Sequence, residues 1–115
     1  MIGLSNQHCF FYFTTPTDLR KGFDSLSGLV QNDGMDPCNG AVYIFINKKR
    51  DKMKMLVWEP GGFMMYYKRL ERGTFELLKY DEGQNKLIIN YQTLHFLIQG
   101  VQIEKIIQRK RYKTA

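Results

Sequence analysis

Three apolar runs between residues 42 and 69, separated by two short polar connections, restrict the possible fold more than any other feature of the chain. Val42–Asn47 is rich in β-branched and aromatic residues, Lys52–Trp58 is a second apolar run, and Gly62–Arg69 is a third, heavy in aromatics and methionine. Side chains of these kinds pack well on a pleated, half-buried surface. Lys48-Lys49-Arg50-Asp51 is a connection of hairpin length. In Glu59-Pro60-Gly61-Gly62, proline presets φ at the first central turn position and glycine supplies the positive φ that a type II turn needs next. The stretch therefore predicts a three-stranded meander. Alternation puts Val42, Ile44 and Ile46 on one face and Tyr43 and Phe45 on the other. Both faces are apolar, so one is expected to meet a helix. The other needs a second cover: the C-terminal segment, a partner chain or a ligand.

Upstream, CFFYFT at 9–14 has the length and composition of a buried strand ended by Thr15-Pro16. Thr17-Asp18 then offers an N-cap and a carboxylate for the positive end of a helix dipole. Leu19, Phe23, Leu26 and Val30, with Leu29 beside them, follow at helical spacing and predict one amphipathic helix over 18–32. Asn32-Asp33-Gly34 closes it. Gly22 and Gly28 weaken such a helix, and a close approach to another backbone is the expected reason for them. Downstream, Thr74–Leu77 predicts a short strand and Lys86–Asn90 a strand or lead-in. Tyr91–Gln99 predicts a short helix with Leu94, Leu97 and Ile98 inward, stopped by Gly100. The fold class expected is α+β: an antiparallel sheet packed on one amphipathic helix, with a short C-terminal helix. Residues 1–115 read as a single domain with a mobile basic tail at about 108–115.

The net charge of +6 is unevenly distributed. Residues 1–47 carry −2, residues 48–72 carry +5, residues 73–103 carry −1 and residues 104–115 carry +4. Separate basic blocks on a small domain point to an anionic partner, most commonly nucleic acid. The candidate nucleic-acid-binding residues are Arg20, Lys21, Lys48, Lys49, Arg50, Lys52, Lys54, Lys68, Arg69 and Arg72. Two readings of the strand and turn cations stand side by side: they hold phosphates, or they keep edge strands soluble and unpaired. Arg20 and Lys21 likewise either form a phosphate site at a helix start or pair with Asp24 one turn on. Trp58, Tyr66 and Tyr67 either stack on bases or fill the core.

No GxSxG, HExxH, P-loop or GxGxxG motif occurs. The densest carboxylates, Asp18, Asp24, Asp33 and Asp36, do not form the convergent cluster that two-metal chemistry requires. Cys9 and Cys38, with His8 and His95, match no zinc-module spacing. No catalytic residue, metal or cofactor is therefore expected, and His95 reads as a packed or solvated side chain. Two reduced, partly buried cysteines, no exported leader and no spanning run of apolar residues make a cytoplasmic protein with no membrane association the expectation.

Several motifs occur together and in order: TDLRKGFDSL (17–26), DPCNG (36–40), VYIFINKKRDKMKMLVWE (42–59) and GFMMYYKRLERGTF (62–75). In this combination the chain resembles the small accessory protein of insertion-sequence family sixty-six, the TnpB-type product of its second open reading frame. The resemblance spans about residues 10–78, and LHFLIQG (94–100) is similar to the family's closing segment. It implies a non-catalytic protein encoded beside a separate, larger transposase and assisting transposition, with binding of element DNA as the leading role. The alternative is an adaptor that binds the transposase or a sister accessory protein through a methionine- and aromatic-rich sheet face. DNA at the element ends and the transposase are the expected partners, and a homo-oligomer is open. The family's motif positions fall on Arg20, Lys21, Lys48, Arg50, Lys54, Trp58, Lys68, Arg69 and Arg72. Glu59-Pro60-Gly61 and the methionines at 64 and 65 depart from its usual pattern.

Overall fold

The computed structural model describes residues 3–100. The expected basic tail at 108–115 and the apolar stretch from Val101 lie outside them. Five strands, β1 (Phe10–Phe13), β2 (Val42–Ile46), β3 (Lys52–Glu59), β4 (Gly62–Arg69) and β5 (Lys86–Ile89), form one sheet in the order β4-β3-β2-β1-β5. Among the described residues two helices accompany it, α1 (Phe23–Asn32) and α2 (Tyr91–Gln99). The class is α+β, and the meander is present, with Val42 opposite Val57 and Lys52 opposite Arg69. Gly61 takes φ 97° in the two-residue turn between β3 and β4. The N-terminal strand departs from the antiparallel arrangement expected of it. It runs parallel to β2, with Phe10 opposite Val42, so the sheet is mixed. The reason is α1, which carries the chain back across the sheet as a parallel neighbour requires.

The helix starts later than the 18–32 span predicted. Asp18 Oδ1 accepts the Arg20 N–H at 3.0 Å, and the Lys21 N–H donates to the Asp18 carbonyl at 3.3 Å. A local side-chain turn thus takes the groups that a first helical turn would have used. Leu19 is buried from this turn. Phe23, expected in the inward stripe, is 47% exposed, and Leu26 and Val30 make the buried contact instead. The far end closes as predicted: Gly34 (φ 83°) donates to Gln31 O at 2.9 Å and Met35 to Val30 O at 3.2 Å, the Schellman pattern. A Cβ at Gly22 or Gly28 meets nothing within 4 Å among the described residues, so close backbone approach does not account for either glycine.

Both sheet faces are covered. Tyr43, Phe45 and Leu56 meet Leu26 and Val30 of α1 and Leu19 of the turn before it, with Phe13 stacked on Phe45 at 4.9 Å. On the other face Val42, Ile44, Ile46, Met53, Met55 and Val57 pack with Leu94 and Leu97 of α2 and with Phe75. The second cover is therefore the chain's own C-terminal part. Each large side chain so buried contributes about 1.5–3 kcal/mol. Asn90 caps α2 by accepting the Thr93 N–H at 2.7 Å. Residues 74–77 form no strand beyond a single bridge at Thr74, and their use is to carry the fully buried Phe75 over the sheet. Cys9 and Cys38 are free and exposed rather than partly buried.

Candidate functional site

Strand polarity decides where the cations go. β1, β2 and β4 finish at the same end of the sheet at which β3 and β5 begin. The connections at that end cover residues 14–22, 47–51 and 70–85. They and the strand residues beside them contain all ten predicted binding residues, together with the carboxylates Asp18, Asp51, Glu71, Glu76, Asp81 and Glu82. Backbone bonds tie these pieces together: Thr17 N–H to Ile46 O (2.9 Å), Leu70 N–H to Asp51 O (2.7 Å) and Phe75 N–H to Arg50 O (2.6 Å).

The turn between β2 and β3 is organised by Asn47. Its Oδ1 accepts the N–H groups of Asp51 and Lys52, each at 3.0 Å, while its Nδ2 donates to Asp51 Oδ1 at 2.6 Å. That last bond, more than the lysines beside it, holds the Asp51 carboxyl below its ordinary range. Arg50 closes the turn with φ 58°, a left-handed conformation that costs a non-glycine residue about 1–2 kcal/mol. The turn thus presents Lys48 and Lys49 outward on a fixed backbone.

Between residues 16–20 and this turn runs a groove of about 660 Å³, lined among others by Arg20, Lys48, Lys49, Lys52 and Tyr67. Lys48, Lys49 and Lys52 make no ion pair among the described residues. Arg20 does: it pairs with Asp18 at 2.7 Å, not with Asp24, and this contact holds the Asp18 carboxyl well below the usual range. Lys21 offers its carbonyl to Lys54 Nζ at 2.9 Å. Lys54 itself is 9% exposed, with its ammonium 5.1 Å from the centroid of the Tyr67 ring. Its charge is directed inward, to tie the 16–21 segment to the sheet.

The other predicted residues divide by the face they occupy. Alternation along β3 and β4 puts Lys52, Lys54, Tyr67 and Arg69 toward the α1 side, and Lys68 toward the α2 side. Lys68 Nζ donates to Ile98 O at 2.8 Å, and Arg69 pairs with Glu71 at 3.1 Å. Arg50 lies near Tyr12, whose hydroxyl burial pushes up, with a Leu78 backbone hydrogen bond and, less strongly, the Arg50 charge acting the other way. Arg72 is exposed in the connection that follows β4. The sequence gathers these residues at one end, and alternation already sets Lys68 apart from Arg69, but which face meets α1 and which meets α2 is visible only in the fold. Tyr67, more than half exposed in the groove wall, is the residue that charge counting overlooks. Trp58 sits six residues along β3, about 20 Å from this end, packed edge-on against Phe63. Tyr66 packs at the rim of the α2-side core.

A family model described as IS66 Orf2 like protein matches residues 8–108. The chain belongs to that family. IS66 Orf2-like chains are accessory proteins of insertion sequences, and the matched span includes all five strands, both helices and every residue of the basic end. Two relatives from Sinorhizobium fredii (strain NBRC 101917 / NGR234) are similar to this IS66 Orf2-like chain, both described as uncharacterized proteins. The protein y4jC is 33% identical over 76 residues, which is 65% of each chain, and y4hO is 31% identical over 90 residues, 76% of each. No solved structure matches. No helix among the described residues is long and apolar enough to cross a membrane.

Proposed function

We propose that this IS66 Orf2-like chain assists transposition by binding element DNA through the basic end of its sheet. One observation carries the reading: Lys48, Lys49 and Lys52 line a common groove with Arg20, and none of the three makes a direct ion pair among the described residues, whereas Arg20 is paired with Asp18 in the same groove. Cations that only kept an edge strand soluble would need no shared concavity, and Lys48 and Lys49 stand on a turn, not on an edge. The adaptor reading has less to stand on. It relies on a methionine- and aromatic-rich sheet face, of which Met53 and Met55 are inside the core and only Met64 and Tyr67 of β4 stay exposed.

A gel-shift series on duplexes of the element's terminal repeats and scrambled controls, run from low to moderate salt, tests the proposal. Each neutralised phosphate contributes about 0.9 to the slope of log affinity against log salt on duplex and about 0.7 on a single strand. The variant K48A/K49A/K52A should therefore flatten the slope by roughly 2–3. A wild-type slope near zero, or a slope the variant leaves intact, refutes it.

A further inference from the structure

We infer that the basic groove takes an unpaired DNA strand, with the Tyr67 ring as the platform on which one base stacks. This rests on the DNA-binding reading and adds the form of the DNA. Tyr67 lies on a sheet strand in the wall of the groove, yet it is 56% exposed. Its ring is held in place: Lys54 brings an ammonium to 5.1 Å from the centroid, and Lys54 is anchored in turn by the Lys21 carbonyl at 2.9 Å. Around the ring stand Lys48, Lys49 and Lys52, whose ammonium groups have no ion pair among the described residues. Cations placed to track a backbone beside an exposed aromatic ring are the two components of single-strand binding.

In a duplex the base faces are already stacked on one another. A fixed ring on the protein then finds only sugar and phosphate, and the lysines alone contribute. The groove, about 660 Å³ and open to solvent, has room for one or two bases beside the ring. Phosphate contacts at Lys48 and Lys49 serve either form of DNA, but the ring serves only the unpaired one.

The test is fluorescence anisotropy of the full chain with a labelled fifteen-nucleotide oligo-dT and a hairpin duplex of equal phosphate count, at one moderate salt concentration. The single strand should bind more tightly. Y67A should weaken it by about 5- to 150-fold, the range for loss of one stacked base, and should move duplex affinity less than 2-fold. Y67F should retain the single-strand affinity, and K48A/K49A should weaken both substrates. Circular dichroism checks that each variant is folded, and Y67L replaces Y67A in the comparison if the alanine variant is not. Duplex preference in the wild type, or equal losses on both substrates in Y67A or Y67L, overturns the stacking platform and leaves the DNA-binding reading in place. Tighter binding of oligo-U overturns the assignment to DNA. Absence of binding to either DNA, there and in a repeat at low salt, overturns both readings.

Discussion

Position 28 holds a glycine in the middle of α1 with open space where a side chain would stand. Glycine there loses more backbone freedom on folding than alanine does, at a cost of about 0.5–1 kcal/mol. G28A should therefore raise the unfolding free energy by roughly that amount, read from urea denaturation with an unchanged slope. A loss of stability would mean that the site is crowded in solution. Gly22 offers no such gain, because it holds the N-cap position, where alanine is the poorer residue. Lys54 shows how far single residues can be judged from sequence. Its alternation with Met53 and Met55 places it on the α1 face, but a basic residue in a basic stretch reads as an outward phosphate contact. Only the fold reveals that the Lys21 carbonyl and the Tyr67 ring lie within its reach.

At the scale of elements, the β2–β3 hairpin depends on the Asn47 side chain, which makes three hydrogen bonds within the turn. N47A should cost roughly 1–3 kcal/mol, at about 1 kcal/mol per bond in a partly solvated site. The same change alters the acid response. Asp51 titrates below its ordinary value in the folded protein, so below about pH 4 the unfolded chain binds the extra proton and stability falls. In N47A the Asp51 midpoint, followed by carboxyl chemical shift, should move up, and the stability lost on acidification should shrink. An unmoved midpoint would assign the shift to the lysines nearby. The two hairpins were the most legible elements, because alternation, a Pro-Gly turn and a polar four-residue connection all agree. The start of α1 was not. Asp18 suits a helix N-terminus and an Asx-type turn equally well, and the nearby Arg20 partner favours the turn.

At the scale of the whole molecule, strand order and face assignment are where sequence carried least. The succession strand, helix, strand is itself the pattern of a parallel crossover, so the direction of β1 was readable. Its place between β2 and β5 was not, since nothing local encodes which edge a strand joins. That placement makes one sheet the shared wall of two cores, the α1 side with Leu26 and the α2 side with Leu94, both fully buried. Neither core can open without exposing strands that the other needs. L26A and L94A should therefore each remove about 2–5 kcal/mol from the same global transition, a large share of a typical 5–15 kcal/mol. Far-ultraviolet circular dichroism and Trp58 fluorescence should trace coincident curves in urea for both variants, with the slope of the wild type. A plateau in L94A alone would show instead that the α2 side detaches as a separate unit. The basic end would then rest on the meander and α1, and on the DNA-binding proposal the affinity for DNA should survive at urea concentrations where α2 has already melted.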